Sequence, residues 1–208
     1  MKLQLALDSS NSQEAIRILE KVSNLVDIVE VGTPLLMKEG VKIVTEIKAA
    51  YPQLEVLADL KIMDAGDIEA SIGFEAGADI VTVLGVAHDV TIRRVVNQAR
   101  TLSKKVMVDL IAVDDVRERT NQIEAIAPDY CCVHTAFDLQ AHGMDPLREI
   151  QLVQSALTQA QMAVAGGINP EILPDILAYR PAVVIVGGFI TNHPEPRQAA
   201  LEIRELLA

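Results

Sequence analysis

Aromatic residues are scarce in this sequence. Tryptophan is absent, and three tyrosines and three phenylalanines are all that 208 residues contain, so any core must be aliphatic. Cysteine is nearly missing as well. Cys131 and Cys132 are adjacent in an apolar run, and neighbouring strand residues point to opposite faces. Neither a standard disulfide nor a metal clasp is therefore expected of them, and both read as core residues. Basic residues are outnumbered, 18 against 29 acids, for a net charge of −11. That balance argues against nucleic acid, which demands concentrated Lys and Arg, and against an anionic membrane surface. A small phosphate ester stays compatible, because backbone amides, one lysine or a metal can hold it locally. No apolar run reaches membrane-spanning length. The opening MKLQLALD is too short in its apolar part, and too soon acidic, for a signal peptide, so the chain reads as cytoplasmic. No linker, low-complexity tract or break in composition divides it; residues 1–208 read as one domain.

What the sequence does have is a beat. Eight short β-rich runs recur: LQLALD (3–8), DIVEVG (27–32), EVLADLK (55–61), DIVTVLG (79–85), KVMVDLI (105–111), YCCVHT (130–135), MAVAGG (162–167) and VVIVGG (183–188). Between them lie stretches of helical period, such as EAIRILEKVSNL (14–25) after the N-cap candidate Asn11 and VKIVTEIKAAY (41–51) after Gly40. EAGADIV (75–81) fits a helix that ends near Gly77 and turns directly into a strand. Near-continuous apolar strands alternating with amphipathic helices indicate parallel strands buried on both faces. Eight such units predict a closed (β/α)8 barrel rather than an open doubly wound sheet.

The exceptions to apolar strand interiors are informative. Asp8, Glu30, Asp59 with Lys61, Asp109 and His134 fall at or near the C-terminal ends of strands one, two, three, five and six. Period two puts Asp59 and Lys61 on one side, and the C-terminal ends of barrel strands converge on the mouth that carries chemistry. A single terminal acid can simply cap the next helix, and that alternative stays open for Asp8 or Asp109 alone. Five ionisable strand ends together point to a site. Several carboxylates around one lysine call for another cation, and an all-oxygen set suits Mg2+. Strands seven and eight end instead in Gly166-Gly167 and Gly187-Gly188, where this fold cradles phosphate. Each pair taken alone is equally compatible with a plain turn. His88 reads as the start of a helix, and His88, His142 and His193 all read as solvated surface. Met37, Met63, Met107 and Met162 read as core filler.

Asp59-x-Lys61-x-x-Asp64 resembles the D-x-K-x-x-D pattern of the orotidine-monophosphate decarboxylase suprafamily of (β/α)8 barrels. Within it, the ordered set LQLALD, VDIVEVGTPL, LADLKIMDAG, ADIVTVLG, VMVDLI, VHTAFDLQAHG, VAGGI and VIVGG resembles the 3-hexulose-6-phosphate synthase family across essentially the whole chain. The resemblance implies a Mg2+-dependent aldol condensation of formaldehyde with D-ribulose 5-phosphate through an enediolate. It implies Glu30 and Asp59 as metal ligands, Lys61 as stabiliser of the enediolate, and His134 as the proton-transfer group. Asp8 would orient substrate hydroxyls and Lys61, with Asp109 supporting the sugar. It implies, too, a homodimer in which Asp64 enters the neighbouring subunit's site. The related 3-keto-L-gulonate-6-phosphate decarboxylases carry arginines where this chain has Phe137 and Gly188, and a Glu where it has Asp109, so the synthase is the expected activity. Three alternatives stand behind it: that decarboxylase, an epimerase-like isomerase whose acid pair and histidine ligands have no counterpart here, and a barrel that binds sugar phosphate without catalysis.

Overall fold

The protein is described by a computed structural model covering residues 1–8, 11–140 and 146–207. All eight expected strands form: β1 (Lys2–Leu7), β2 (Ile28–Val31), β3 (Glu55–Ile62), β4 (Ile80–Leu84), β5 (Lys105–Asp109), β6 (Tyr130–His134), β7 (Gln161–Ala165) and β8 (Val183–Val186). Each runs parallel to the next, and β1 pairs with β8 to close the ring. The protein is a (β/α)8 barrel.

The connecting helices are α1 (Ser12–Val22), α2 (Thr33–Glu39), α3 (Lys42–Ala50), α4 (Gly66–Glu75), α5 (Asp89–Thr101), α6 (Val116–Glu124), α7 (Phe137–Gln140), α8 (Pro146–Ala156), α9 (Leu173–Leu177), α10 (Gly188–Thr191) and α11 (Pro196–Leu207). Asn11 caps α1 as expected, its side chain accepting from the Glu14 amide at 2.9 Å. Gly77, at φ +105°, turns the chain out of α4 toward β4. Helix α2 was not expected. Pro34 opens it and Gly40, at φ +67°, closes it before α3.

Alternation along the strands sorts the apolar residues into two cores. Leu3, Leu5 and Leu7 belong to the outer one, between strands and helices. Ala6, Ile28, Leu57, Ile80, Met107, Tyr130 and Cys132 belong to the inner one, which fills the barrel. Cys131 lies in the outer core and Cys132 in the inner, both free, as their adjacency implied. Burial raises both thiols, Cys131 to about 12 and Cys132 well above the ordinary range, which makes them inert. Met107 and Met162 are core residues, but Met37 and Met63 are not. They are 82% and 50% exposed, because α2 and the turn after β3 run over the surface there.

His88 is exposed and stands at the N-cap of α5, as expected. His193 departs from the surface reading: it is half-buried, and its Nδ1 accepts from the Glu195 amide at 3.0 Å. His142 lies outside the described residues. No helix among the described residues is long and apolar enough to cross a membrane.

At the N-terminal end of the barrel, Glu55 pairs with both Lys2 and Lys105, and Asp79 with Lys48 and Lys104. Away from that floor, Glu124 ties α6 to the turn before β7. Its carboxylate accepts the backbone amides of Thr158, Gln159 and Ala160 at 2.8–2.9 Å. Burial pushes this carboxyl up, but the Thr158 hydroxyl and the three amides outweigh burial and hold it below the usual range. Glu124→Gln turns an NH2 toward those donors and should cost about 1.5–3 kcal/mol in urea unfolding at neutral pH. A depressed folded pKa gives stability that is full above the unfolded value and lost as pH falls through the folded one. The gap between wild type and variant should therefore narrow below about pH 4. Equal stability at neutral pH, or a gap that does not narrow, would contradict this role.

Candidate active site

Continuing two residues beyond the inner core along each strand leads from Ala6 to Asp8, Ile28 to Glu30, Leu57 to Asp59, Met107 to Asp109 and Cys132 to His134. The same period that buries the apolar residues lifts these five to the mouth. They line a cavity of about 940 Å³ together with Lys61, Gly166, Gly167, Gly187 and Gly188. Asp64 is the exception. It is exposed and outside this cavity, its carboxylate accepting from the Ala65 amide at 2.8 Å.

Lys61 is the hub. Its ammonium lies 2.8 Å from Asp59 Oδ2 and 3.2 Å from Asp109 Oδ2. The expectation that both Asp59 and Lys61 face the mouth holds, but regular alternation does not deliver it. The register of β3 against β4 shifts between Ala58 and Ile62, and Lys61 sits at φ +47°, rare for a residue with a Cβ. Burial opposes the charged ammonium, yet Asp59 and Asp109 outweigh it and raise Lys61 above its usual range, so it is cationic at neutral pH.

Asp109 also meets His134, whose Nδ1 lies 2.9 and 3.1 Å from its two carboxylate oxygens. Burial pushes Asp109 up; the His134 contact and the Lys61 charge overcome it and hold the carboxyl low. Glu30 goes the other way. Burial first, then the Asp59 charge, lift it well above the carboxylate range, against the opposing bond from Gln4 Nε2 to its Oε2 at 2.6 Å. Asp8, although exposed at the rim, is raised by the same two causes, partial desolvation of its carboxyl by the surrounding mouth and the Asp59 carboxylate.

Asp8 owes its place to a glycine. A Cβ on Gly32 would stand 2.0 Å from Asp8 Oδ1 and 2.9 Å from the Leu7 carbonyl oxygen. Gly166 and Gly167 have φ of +101° and +67°, so the turn reading of this pair is correct, and it also shapes the mouth. Gly187 and Gly188 lead into the short helix α10.

Sequence reasoning passed over Gln4, Thr33 and Thr82. Thr33 Oγ1 lies 2.8 Å from Asp59 Oδ2 and 2.7 Å from the Asp59 carbonyl oxygen. Thr82 Oγ1 donates to Asp59 Oδ1 at 2.8 Å and accepts from the Lys61 amide at 2.9 Å. Threonine is ordinary in strands and gave no signal. Gln4 did offer one, as the lone polar residue inside LQLAL. Together these groups present a fixed cation, a half-buried His134 against the buried Asp109, and a surplus of carboxylates, the equipment for moving a proton and stabilising an oxyanion.

The orotidine 5'-phosphate decarboxylase / HUMPS family matches residues 1–203. The chain belongs to that family. Among its members, the 3-hexulose-6-phosphate synthase of Bacillus subtilis is 46% identical over 207 residues, covering 100% of this chain and 99% of the relative. The crystal structure of 3-hexulose-6-phosphate synthase from Salmonella typhimurium superposes with a TM-score of 0.97 at 44% identity, covering 100% of this chain and 98% of that one. The 3-keto-L-gulonate-6-phosphate decarboxylase of Vibrio cholerae superposes with a TM-score of 0.88 at 26% identity, covering 99% and 96%.

The contact between Gly32 and Asp8 predicts a non-additive pair. Gly32→Ala should displace the Asp8 carboxylate and lower turnover about as much as Asp8→Ala does, and the double variant should be no worse than either single one. Turnover losses that multiply in the double variant would separate the two residues.

Proposed function

We propose that this protein catalyses the aldol condensation of formaldehyde with D-ribulose 5-phosphate, giving D-arabino-hex-3-ulose 6-phosphate, and its reverse. The observation that carries this reading is the Lys61 ammonium clamped by Asp59 and Asp109, with His134 against Asp109 at the same mouth. Relatives named 3-hexulose-6-phosphate synthase at 44–46% identity over essentially the whole chain support it. Loss of the C1 proton of the sugar phosphate leaves negative charge on an enediolate oxygen, and Lys61 is the fixed positive charge available to meet it. His134 presents Nδ1 to Asp109, which leaves Nε2 to exchange protons with substrate. The enediolate carbon then adds to formaldehyde, and the new alkoxide takes a proton. Asp8 and Asp109 orient sugar hydroxyls. Gly166, Gly167, Gly187 and Gly188 let backbone amides approach the phosphate.

The donor set fits Mg2+. Asp59 has one oxygen bonded to Lys61 and Thr33 and the other to Thr82, while Glu30 is bonded by Gln4 at Oε2. No group of three or more His, Cys, Asp or Glu side chains among the described residues forms a ready metal cluster. Glu30 and Asp59 would thus hold the ion with substrate oxygens and water completing its shell, the habit of Mg2+ rather than Zn2+. When bound, the ion supplies positive charge that polarises neighbouring substrate oxygens.

A decarboxylase of 3-keto-L-gulonate 6-phosphate is the second reading, favoured by the shared fold. It is disfavoured by Phe137, which stands 83% exposed at the mouth in place of a cationic side chain. The deciding assay measures formaldehyde consumption with ribulose 5-phosphate beside CO2 release from 3-keto-L-gulonate 6-phosphate. Formaldehyde should be consumed, chelation should abolish turnover and Mg2+ restore it, and Lys61→Ala should lower kcat roughly 100- to 1000-fold. CO2 release alone would favour the decarboxylase, and neither activity would leave a sugar-phosphate-binding barrel.

We further infer a homodimer with shared sites. Asp64 is exposed and does not line its own mouth, and its neighbour Met63 is exposed, as are Ile68 and Ile72 on α4 and Val90 on α5. A patch of that kind next to a carboxylate is what a second copy would cover. Asp64→Ala and Lys61→Ala should each be nearly inactive, and mixing them should recover part of the activity, since one composite site then collects both defects. No recovery after verified subunit exchange would remove Asp64 from catalysis across subunits.

A further inference from the structure

Between the paired positions Ala58–Val81 and Ile62–Val83, Asp59, Leu60 and Lys61 of β3 stand opposite Thr82 alone on β4. Such a bulge strips backbone groups of their ladder partners. The Lys61 N–H, in its left-handed conformation, is taken instead by Thr82 Oγ1 at 2.9 Å. An amide can only donate, so the threonine oxygen accepts there, and its single proton is committed to Asp59 Oδ1 at 2.8 Å. One hydroxyl of a buried threonine thereby joins the backbone of the lysine to the side chain of its carboxylate partner. Thr33 bonds Asp59, and Thr82 is the partner of the Lys61 amide among the described residues.

We propose that Thr82 is a positioning residue for this reaction. Its hydroxyl fixes the bulge at Lys61 and the orientation of Asp59 in one arrangement, so that ammonium and carboxylate reach the substrate in register. Without the hydroxyl, β3 relaxes toward ordinary alternation and the ammonium swings off the line to the developing oxyanion. The proposal rests on the reading of Lys61 as the group that meets the enediolate. It predicts a loss in kcat rather than in substrate binding, because Thr82 touches the groups that meet the transition state and not the phosphate cradle.

The test compares Thr82→Val, Thr82→Ser and Lys61→Ala in the full chain with Mg2+, formaldehyde and ribulose 5-phosphate. Valine keeps the shape and removes the hydroxyl, whereas serine keeps the hydroxyl and drops the methyl. Thr82→Val should lower kcat about 100-fold, the scale of a small misplacement at a reacting centre, with KM changed less than about threefold. Thr82→Ser should stay within about threefold of wild type. Amide hydrogen exchange supplies a readout apart from activity: the Lys61 N–H should exchange about tenfold faster in Thr82→Val and not in Thr82→Ser. If the valine variant does not fold, Thr82→Ala against Thr82→Ser makes the same comparison. Wild-type kcat in Thr82→Val with an inactive Lys61→Ala overturns the role of Thr82 and leaves that of Lys61 intact. Serine as impaired as valine, a loss confined to KM, or unchanged Lys61 exchange overturns it likewise. Full turnover in Lys61→Ala overturns the reading of Lys61, and the proposal with it.

Discussion

The contact of one ammonium with two buried carboxylates, Lys61 with Asp59 and Asp109, is the constraint around which the mouth of the barrel is arranged. At about 3 Å and an effective dielectric near 20, each pair attracts with about 5 kcal/mol of gross Coulomb energy. Withdrawing each ion from water costs several kcal/mol. The two terms nearly cancel, so the cluster does not explain the stability of the fold. It is kept in place by everything else: the bulge of β3, the hydroxyls of Thr33 and Thr82, and the His134 ring against Asp109. A charged group held by that many contacts has the fixed geometry that the proposed reaction would require of the group meeting a developing oxyanion.

The apolar layer beneath gives those charges their strength. Ile28, Leu57, Ile80, Met107 and Cys132 fill the barrel one inward position below Glu30, Asp59, Thr82, Asp109 and His134. Water is kept from the underside, and the effect shows in directions of titration. Burial and the Asp59 charge raise Glu30 against the bond from Gln4 and the Lys61 charge, while the His134 contact and the Lys61 charge hold Asp109 low. Two carboxylates of one mouth, on β2 and β5, are thus set apart by their partners. At the opposite end of the barrel the charges are matched in partly exposed lysine–acid pairs.

Much of this was legible in the sequence, for a definite physical reason. Strands buried on both faces read as unbroken apolar runs, so β1 to β8 announced themselves, and Asp8, Glu30, Asp59, Asp109 and His134 stood out against them. The gathering of those five side chains at one mouth followed from period two, whereas the place of Lys61 among them did not. What the period could not show was its own interruption: nothing in VLADLKIMD marks Lys61 as left-handed, because a bulge is set by pairing with β4 and not by local propensity. Thr82 was hidden for the same reason, as a β-branched residue in a strand. Met37 and Met63 were misjudged because methionine usually fills cores, whereas here both stand in solvent. The Asp8–Gly32 contact joins two strand ends and could be seen only once β1 and β2 were side by side.

Chain order also gives the mouth a polarity. Ionisable side chains end β1, β2, β3, β5 and β6, whereas β7 and β8 end in glycines, with Asp8 of the β1 end beside Gly187, its Oδ2 3.7 Å from where a Cβ on that glycine would stand. Desolvation first and the Asp59 charge second lift Glu30 and Asp8, and a phosphate dianion set among these carboxylates would add further like charge. Against Gly166, Gly167, Gly187 and Gly188 it meets N–H groups and no side-chain anion of those four residues. In the proposed reaction the sugar phosphate would then lie across the mouth with its phosphate toward the glycines of β7 and β8 and its reacting carbons toward Lys61 and His134.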